Sequence, residues 1–258
     1  MSAGLVYITG ASSGIGQALA LRYYRAGWRL ALVARRDAEL RAWARAQQLS
    51  ADRCAIYSAD VCDVAAIAAT GRACIEAQGL PDVVIANAGI SIGIDSAYYE
   101  DLAVMQRIYA TNNLGLAATF QPFITPMNER RSGTLVGIAS VAGIRGLPGH
   151  AAYCSSKAAV ISYCESLRGE CRPQGVKVVT IAPGYVATPL TEKNRYGMPF
   201  LLQPEEFADR AFAAIERGVS YRVIPWQMGV IAKIMRALPD FVFDRALVGR
   251  ARKQRAAE

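Results

Sequence analysis

Apolar residues in this chain fall in short runs separated by longer stretches with helical spacing. Residues 5–8, 29–34, 54–59, 82–86, 133–139, 176–182 and 221–224 are short, apolar and bounded by turn residues, which predicts seven strands. The spacing between them predicts helices over 17–26, 39–49, 64–77, 98–120, a segment running through Tyr153 to about Cys171, and 204–217. Strand and helix units alternating in this way imply an α/β fold with one doubly wound parallel sheet and helices on both faces. Asn112, Asn113 and Gly115 fall in the middle of a long helical pattern where propensity is poor, which predicts an interruption. Residues 189–203 carry no clear period.

No linker divides the chain, so residues 1–225 read as one domain. Residues 226–258 form an amphipathic, basic extension that ends in Arg250, Arg252, Lys253 and Arg255. It suits packing on the domain, covering its pocket, contact with a partner subunit, or peripheral contact with an anionic membrane.

Composition narrows the options. The chain has 258 residues, 53% apolar and 19% charged, enough for a sizeable core. No leader pattern and no apolar run of ~18 residues is present, which predicts a cytoplasmic protein with no spanning helix. Six cysteines without a Cys-x-x-Cys pair, and His150 as the sole histidine, argue against zinc and for reduced, mostly buried thiols. The net charge of +8 suits an anionic partner such as a phosphorylated cofactor, and no nucleic-acid motif accompanies it.

Three stretches carry chemistry. Thr9-Gly10-Ala11-Ser12-Ser13-Gly14-Ile15-Gly16 joins the first strand to the first helix, the setting of a dinucleotide-binding loop. Gly10 permits the turn, Gly14 lets backbone approach a pyrophosphate, and Gly16 lets helix and strand pack closely. At the end of the second strand an NAD site would usually carry an acid. Here Ala34 is followed by Arg35 and Arg36, which suit a 2′-phosphate and so NADP in preference to NAD. Asp60 ends the third strand, as an acceptor for an adenine amino group or as a helix N-cap, and Asn87-Ala88-Gly89 ends the fourth. Lastly, Tyr153 and Lys157 stand four apart on a helix, so phenol and ammonium share a face. A fixed cation nearby favours phenolate, which brings the phenol into range for acid–base chemistry at neutral pH. His150 reads as a helix-start residue without a chemical role. Met198 to Leu202 suit an apolar lid.

Together these pieces resemble the short-chain dehydrogenase/reductase family over roughly residues 3–225, with Ser140 standing 13 residues before Tyr153, and Pro183-Gly184 and Thr188 after the sixth strand. The resemblance implies a Rossmann fold and hydride transfer between NADP(H) and a carbonyl or secondary alcohol carbon of an apolar substrate. It implies Tyr153 as general acid/base, Lys157 tuning it and bonding the nicotinamide ribose, Ser140 bonding the substrate oxygen, and Asn112 holding a water. Cofactor contacts are implied at Gly10, Ser12, Ser13, Gly14, Ile15, Gly16, Arg35, Arg36, Asp60, Val61, Asn87, Ala88, Gly89, Tyr153, Lys157, Pro183, Gly184, Val186 and Thr188. Ser13 stands where many NADP-preferring members carry a basic residue. A homo-oligomer, dimer or tetramer, is the family's usual state. The rival readings are an NAD-dependent member of the family and an NADP-binding sensor or scaffold without chemistry.

Overall fold

The computed structural model describes residues 4–192, 194, 196–249 and 252–255; Arg250 of the basic tail lies outside them. Seven parallel strands form one sheet: β1 (Leu5–Thr9), β2 (Arg29–Ala34), β3 (Cys54–Ser58), β4 (Val83–Ala86), β5 (Thr134–Ile138), β6 (Lys177–Pro183) and β7 (Tyr221–Ile224). Their order across the sheet is β3-β2-β1-β4-β5-β6-β7. The central strands β1 and β4 are buried along their whole length, whereas β3 and β7 at the edges are partly exposed. That contrast explains why the central runs are continuously apolar.

Helices α1 (Gly14–Arg25), α2 (Asp37–Ala46) and α8 (Pro204–Glu216) cover one face, where Leu19, Tyr23, Leu40, Phe207 and Ile215 meet Val6, Ile8, Leu30 and Leu32. On the other face lie α3 (Val64–Gln78), α5 (Gly115–Arg130) and α6 (Ala151–Cys171), with Ile67, Phe120, Phe123, Val160 and Leu167 packed on Tyr7, Val33, Val84 and Leu135.

Four boundaries differ from the sequence expectation. Helix α1 begins at Gly14, inside the glycine loop, so the loop runs directly into the helix. Helix α2 stops at Ala46, because Gln48 takes a left-handed φ of 54°. The long helix expected over 98–120 is α4 (Asp101–Tyr109), a π-helical turn (Ala110–Leu114) and α5, which runs on through Pro122 and Pro126 to Arg130. An internal proline costs about 3 kcal/mol. Burial of Phe120, Phe123 and Met127, each worth roughly 1.5–3 kcal/mol, outweighs it, and Gly71 of α3 makes room for the Pro122 ring. A short helix α7 (Pro189–Glu192) opens the segment expected to be irregular.

The extension folds into α9 (Trp226–Ala237) and α10 (Asp240–Leu247), and the chain then returns across the molecule so that Arg255 bridges Gly93. Among the described residues no helix is long and apolar enough to cross a membrane.

Candidate active site

The sheet order reverses between β1 and β4, and the loops after these two strands part there to leave a crevice at the strands' carboxyl ends. The glycine loop forms one side. Gly10 and Gly14 take φ of 66° and 55°. A Cβ on Gly10 would sit 2.7 Å from the Ala88 Cα, and one on Gly14 would sit 3.0 Å from the Thr188 Cγ2. Gly16 lies beneath the loop, where a side chain would collide with the Gly10 carbonyl oxygen. The Asn87 amide donates to the carbonyls of Thr9 and Gly10 at 3.0 and 3.2 Å, tying the β4 end to this loop.

A single cavity of about 960 Å³ runs from this loop to the far end of the sheet. Every residue expected at the site lines it except Gly16 and Asn112, which brace the walls from behind. The fit to a dinucleotide rests on three observations. The Ser13 side chain does not cap α1 and no acid stands in its first turn, so the helix offers open N–H groups and a positive dipole end to an anion. The left-handed glycines leave room for a chain to lie against backbone. Two cations, Arg35 and Arg36, line the end beyond β2.

Arg35 pairs with Asp60 at 3.3 Å, and Arg36 reaches Ser12 Oγ at 3.4 Å and Glu39 at 3.1 Å. Burial works against ionisation of Asp60. The Cys62 N–H and the Arg35 guanidinium overcome it and hold the carboxyl below its usual range. Asp60 is not the N-cap of α3; Asp63 is, accepting from the Ala66 N–H at 2.9 Å. The geometric reason is that Asp60 turns back on Cys62, two residues on.

At the opposite end, Ser140 lies two residues beyond β5 and caps a 3-10 turn (Val141–Gly143), accepting from the Ala142 N–H at 3.2 Å. Its hydroxyl lines the same cavity as the Tyr153 phenol and eases that phenol's ionisation. Lys157 is buried, with its ammonium 5.9 Å from the Tyr153 ring centre, and it donates to the Ile138 carbonyl at 2.8 Å. The protonation balance differs from the sequence expectation. Burial pushes the phenol up to about 12, only partly offset by Ser140, and burial pulls the ammonium down to about 8. The dry wall that brings the two groups together also strips water from both charged forms.

Asn112 stands behind the cavity wall and not in its lining. Its amide braces that wall: Oδ1 accepts from the Ile90 N–H at 2.9 Å, and Nδ2 donates to the Ile90 carbonyl and Ser156 Oγ, each at 3.0 Å. The π-turn aims this side chain between the β4 loop and α6, and widened turns of this kind recur at functional sites.

The substrate end holds His150, read from the sequence as a helix-start residue with lining of the pocket as the alternative, and residues of the extension. His150 lines the cavity, with Nε2 3.2 Å from the Tyr196 hydroxyl; burial holds its pKa below the ordinary value. Of the five residues expected as a lid, only Pro199 lines the cavity; Leu202 belongs to the core and Phe200 and Leu201 face outward. The apolar cover comes instead from Met228, Ile231 and Met235 of α9 and from Leu247. Arg145 fixes that cover. It donates to the carbonyls of Met235 and Leu238, pairs with Asp240 at 2.8 Å and lies over the Phe243 ring at 3.8 Å. An arginine in the glycine-rich loop before Tyr153 was the only sequence signal for this anchor.

The family model for short chain dehydrogenases matches residues 4–198. The chain belongs to the short-chain dehydrogenase family. Within this family it is similar to an uncharacterized oxidoreductase of Myxococcus xanthus, 38% identical over 95% of this chain and 97% of the relative. It is also similar to a short-chain dehydrogenase from Streptomyces avermitilis, with a TM-score of 0.79, 26% identity and 95% coverage of each chain. An alcohol dehydrogenase from the archaeon Thermococcus sibiricus, solved with 5-hydroxy-NADP, matches with a TM-score of 0.77 and 25% identity, covering 86% of this chain and 96% of that one. The family accounts for the glycine loop, the β4 loop and the Ser140, Tyr153 and Lys157 wall in one cavity. Its matched span stops short of α9, α10 and the returning tail.

Proposed function

We propose that the chain reduces a carbonyl carbon of an apolar substrate with NADPH, or runs the reverse oxidation. The observation that carries this reading is the meeting of the Ser140 hydroxyl and Tyr153 phenol, beside buried Lys157, on one wall of a cavity whose other end is the glycine loop. When bound there, NADPH supplies the hydride. Ser140 and Tyr153 donate to the carbonyl oxygen and stabilise the charge that develops on it. Tyr153 then gives up its proton to that oxygen. A phenol held at about 12 is protonated at neutral pH, which suits the reducing direction. Lys157 keeps one donor on Ile138 and has two left for a ribose hydroxyl and for the phenolate formed in the step.

Arg35 and Arg36 are more than half exposed and can turn to a 2′-phosphate, and the Thermococcus sibiricus relative was solved with an NADP derivative. Both observations favour NADPH over NADH. The test is oxidation of NADPH and of NADH across a panel of apolar aldehydes and ketones. Wild type should turn over with NADPH preferred, and Tyr153→Phe should lose at least about a thousandfold in kcat while binding NADPH nearly as well. An active Tyr153→Phe enzyme ends the reading. NADPH binding without turnover of any carbonyl compound would make the chain a sensor or scaffold.

Two surfaces bear on partners. Tyr98, Tyr99, Leu102 and Leu114 are exposed on or beside α4 and the π-turn, which supports a homo-oligomer. Trp226, Val230 and Ile234 form an exposed stripe on α9, near Lys233 and Arg236, which supports peripheral contact with an anionic membrane. Sedimentation with and without anionic liposomes separates the two. Pelleting that Trp226→Glu abolishes supports the membrane, and a soluble species of twice or four times the chain mass supports the oligomer.

A further inference from the structure

The basic tail was expected to pack on the domain, cover its pocket, meet a partner subunit or lie on an anionic membrane, and the structure sorts its described cations into two kinds. Arg255 pairs with the buried Asp101 at 2.8 Å and lies over the Tyr98 ring at 3.9 Å. Arg252 sits against Gly149 and lies 3.6 Å from Asp95. The Gln254 carbonyl accepts from the Gly93 N–H at 2.9 Å. These contacts hold residues 252–255 across the mouth of the substrate end as a strap.

Between these two arginines, Lys253 turns toward the cavity. It lines the cavity, donating to the Leu190 carbonyl at 3.2 Å and to Asn194 Oδ1 at 2.5 Å. Among the described residues it has no carboxylate within ion-pairing distance. The one acid lining the cavity among the described residues is Asp60, which lies at the cofactor end and is engaged by Arg35. The described polar side chains lining the cavity near Lys253 include the neutral Asn194 and Tyr196 and a His150 whose protonation is opposed by burial and by Lys253 itself, while the cation Arg145, which also lines this end, is paired with Asp240. The remaining walls, Leu147, Met228, Ile231, Met235 and Leu247, are apolar.

A half-buried ammonium with a donor to spare, no counter-ion among the described residues and an apolar vestibule is arranged for an anion carried on an apolar body. We propose that Lys253 is a specificity-determining residue that selects substrates bearing a carboxylate at the end of an apolar chain, remote from the reacting carbonyl. This rests on the reading of Ser140 and Tyr153 as the reacting end. It narrows the substrate class from apolar carbonyl compounds to oxo acids.

The test compares oxo-fatty acids of graded chain length with their methyl esters, using the full chain with NADPH. Wild type should favour the acid. Lys253→Met should lower kcat/KM for the acid about ten- to a hundredfold while leaving the ester and the KM for NADPH nearly unchanged, and Lys253→Arg should keep the preference. Equal handling of acid and ester by wild type, or an equal loss for both in Lys253→Met, overturns the proposal. A second measurement does not depend on turnover: calorimetric titration of decanoate and of decanol into the full chain. Tighter binding of decanoate that disappears in Lys253→Met supports the carboxylate site even if no carbonyl compound reacts, in which case only the hydride-transfer reading falls. Equal binding of the two ligands overturns the site itself.

Discussion

Tyr153 and Lys157 are separated by one helical turn, and their placement on a common wall follows from that spacing alone. Their protonation does not, because spacing says nothing of how much water the fold removes. Lys157 has the clearest consequence. The unfolded chain holds its proton up to 10.5 and the folded chain only up to about 8. Between those values the unfolded state binds more protons, so stability rises with pH; below about 8 the wild type carries the full penalty. That net penalty is about 3 kcal/mol. Lys157→Met should therefore abolish turnover and yet raise the Tm of the cofactor-free enzyme at neutral pH by several degrees. The gain should fade as the pH approaches 10.5, where the wild-type amine enters the fold uncharged. Thermal denaturation of both proteins across that range decides it, and a destabilised variant at neutral pH contradicts the account.

At the scale of elements, the strands were legible because each is a short apolar run ended by a turn residue, and the site residues at strand ends were legible with them. The helix through Asn112 was legible as an interruption and not as a π-turn. Poor propensity marks where a helix is weak, whereas the turn that results depends on what the freed side chain finds. Asn112 finds both backbone groups of Ile90 and the hydroxyl of Ser156, from two other elements. The continuation through Pro122 was illegible for a related reason, since only the fold sets Gly71 opposite the ring. Asn112→Ala should leave the two Ile90 groups and Ser156 without this partner, at about 3 kcal/mol. Asn113→Ala, which loses one bond to the Ser156 carbonyl, should cost clearly less. Urea unfolding midpoints at unchanged slope measure both. Equal costs would mean that the π-turn, and not the Asn112 amide, holds the β4 loop against α6.

At the scale of the whole molecule, the tail was the least legible part, because its partners lie about 60 to 160 residues away in sequence. Its basic, amphipathic character is compatible with a membrane, a partner or the cavity, and only the folded chain shows Asp101 waiting for Arg255. The Arg255 hydrogen bonds, with the Asp95 N–H, hold the Asp101 carboxyl below its ordinary 3.8. A carboxyl depressed in the folded state stabilises that state above its unfolded value and loses the contribution as pH falls through the folded one. Arg255→Ala should therefore loosen the strap at neutral pH, and its Tm deficit relative to wild type should close as the pH drops below 3.8. Loosening has a direct readout, since trypsin cuts after Lys253 only when the strap leaves the cavity mouth. Faster release of the C-terminal peptide from Arg255→Ala, ahead of any cleavage in the sheet, is the expected result. The same acceleration in Asp101→Asn would place the latch in the pair and not in the arginine's contact with Tyr98. Unchanged release in both variants would mean that the remaining contacts, the backbone pairing at Gly93, the Arg252–Asp95 pair and the Lys253 hydrogen bonds, hold the strap without Arg255.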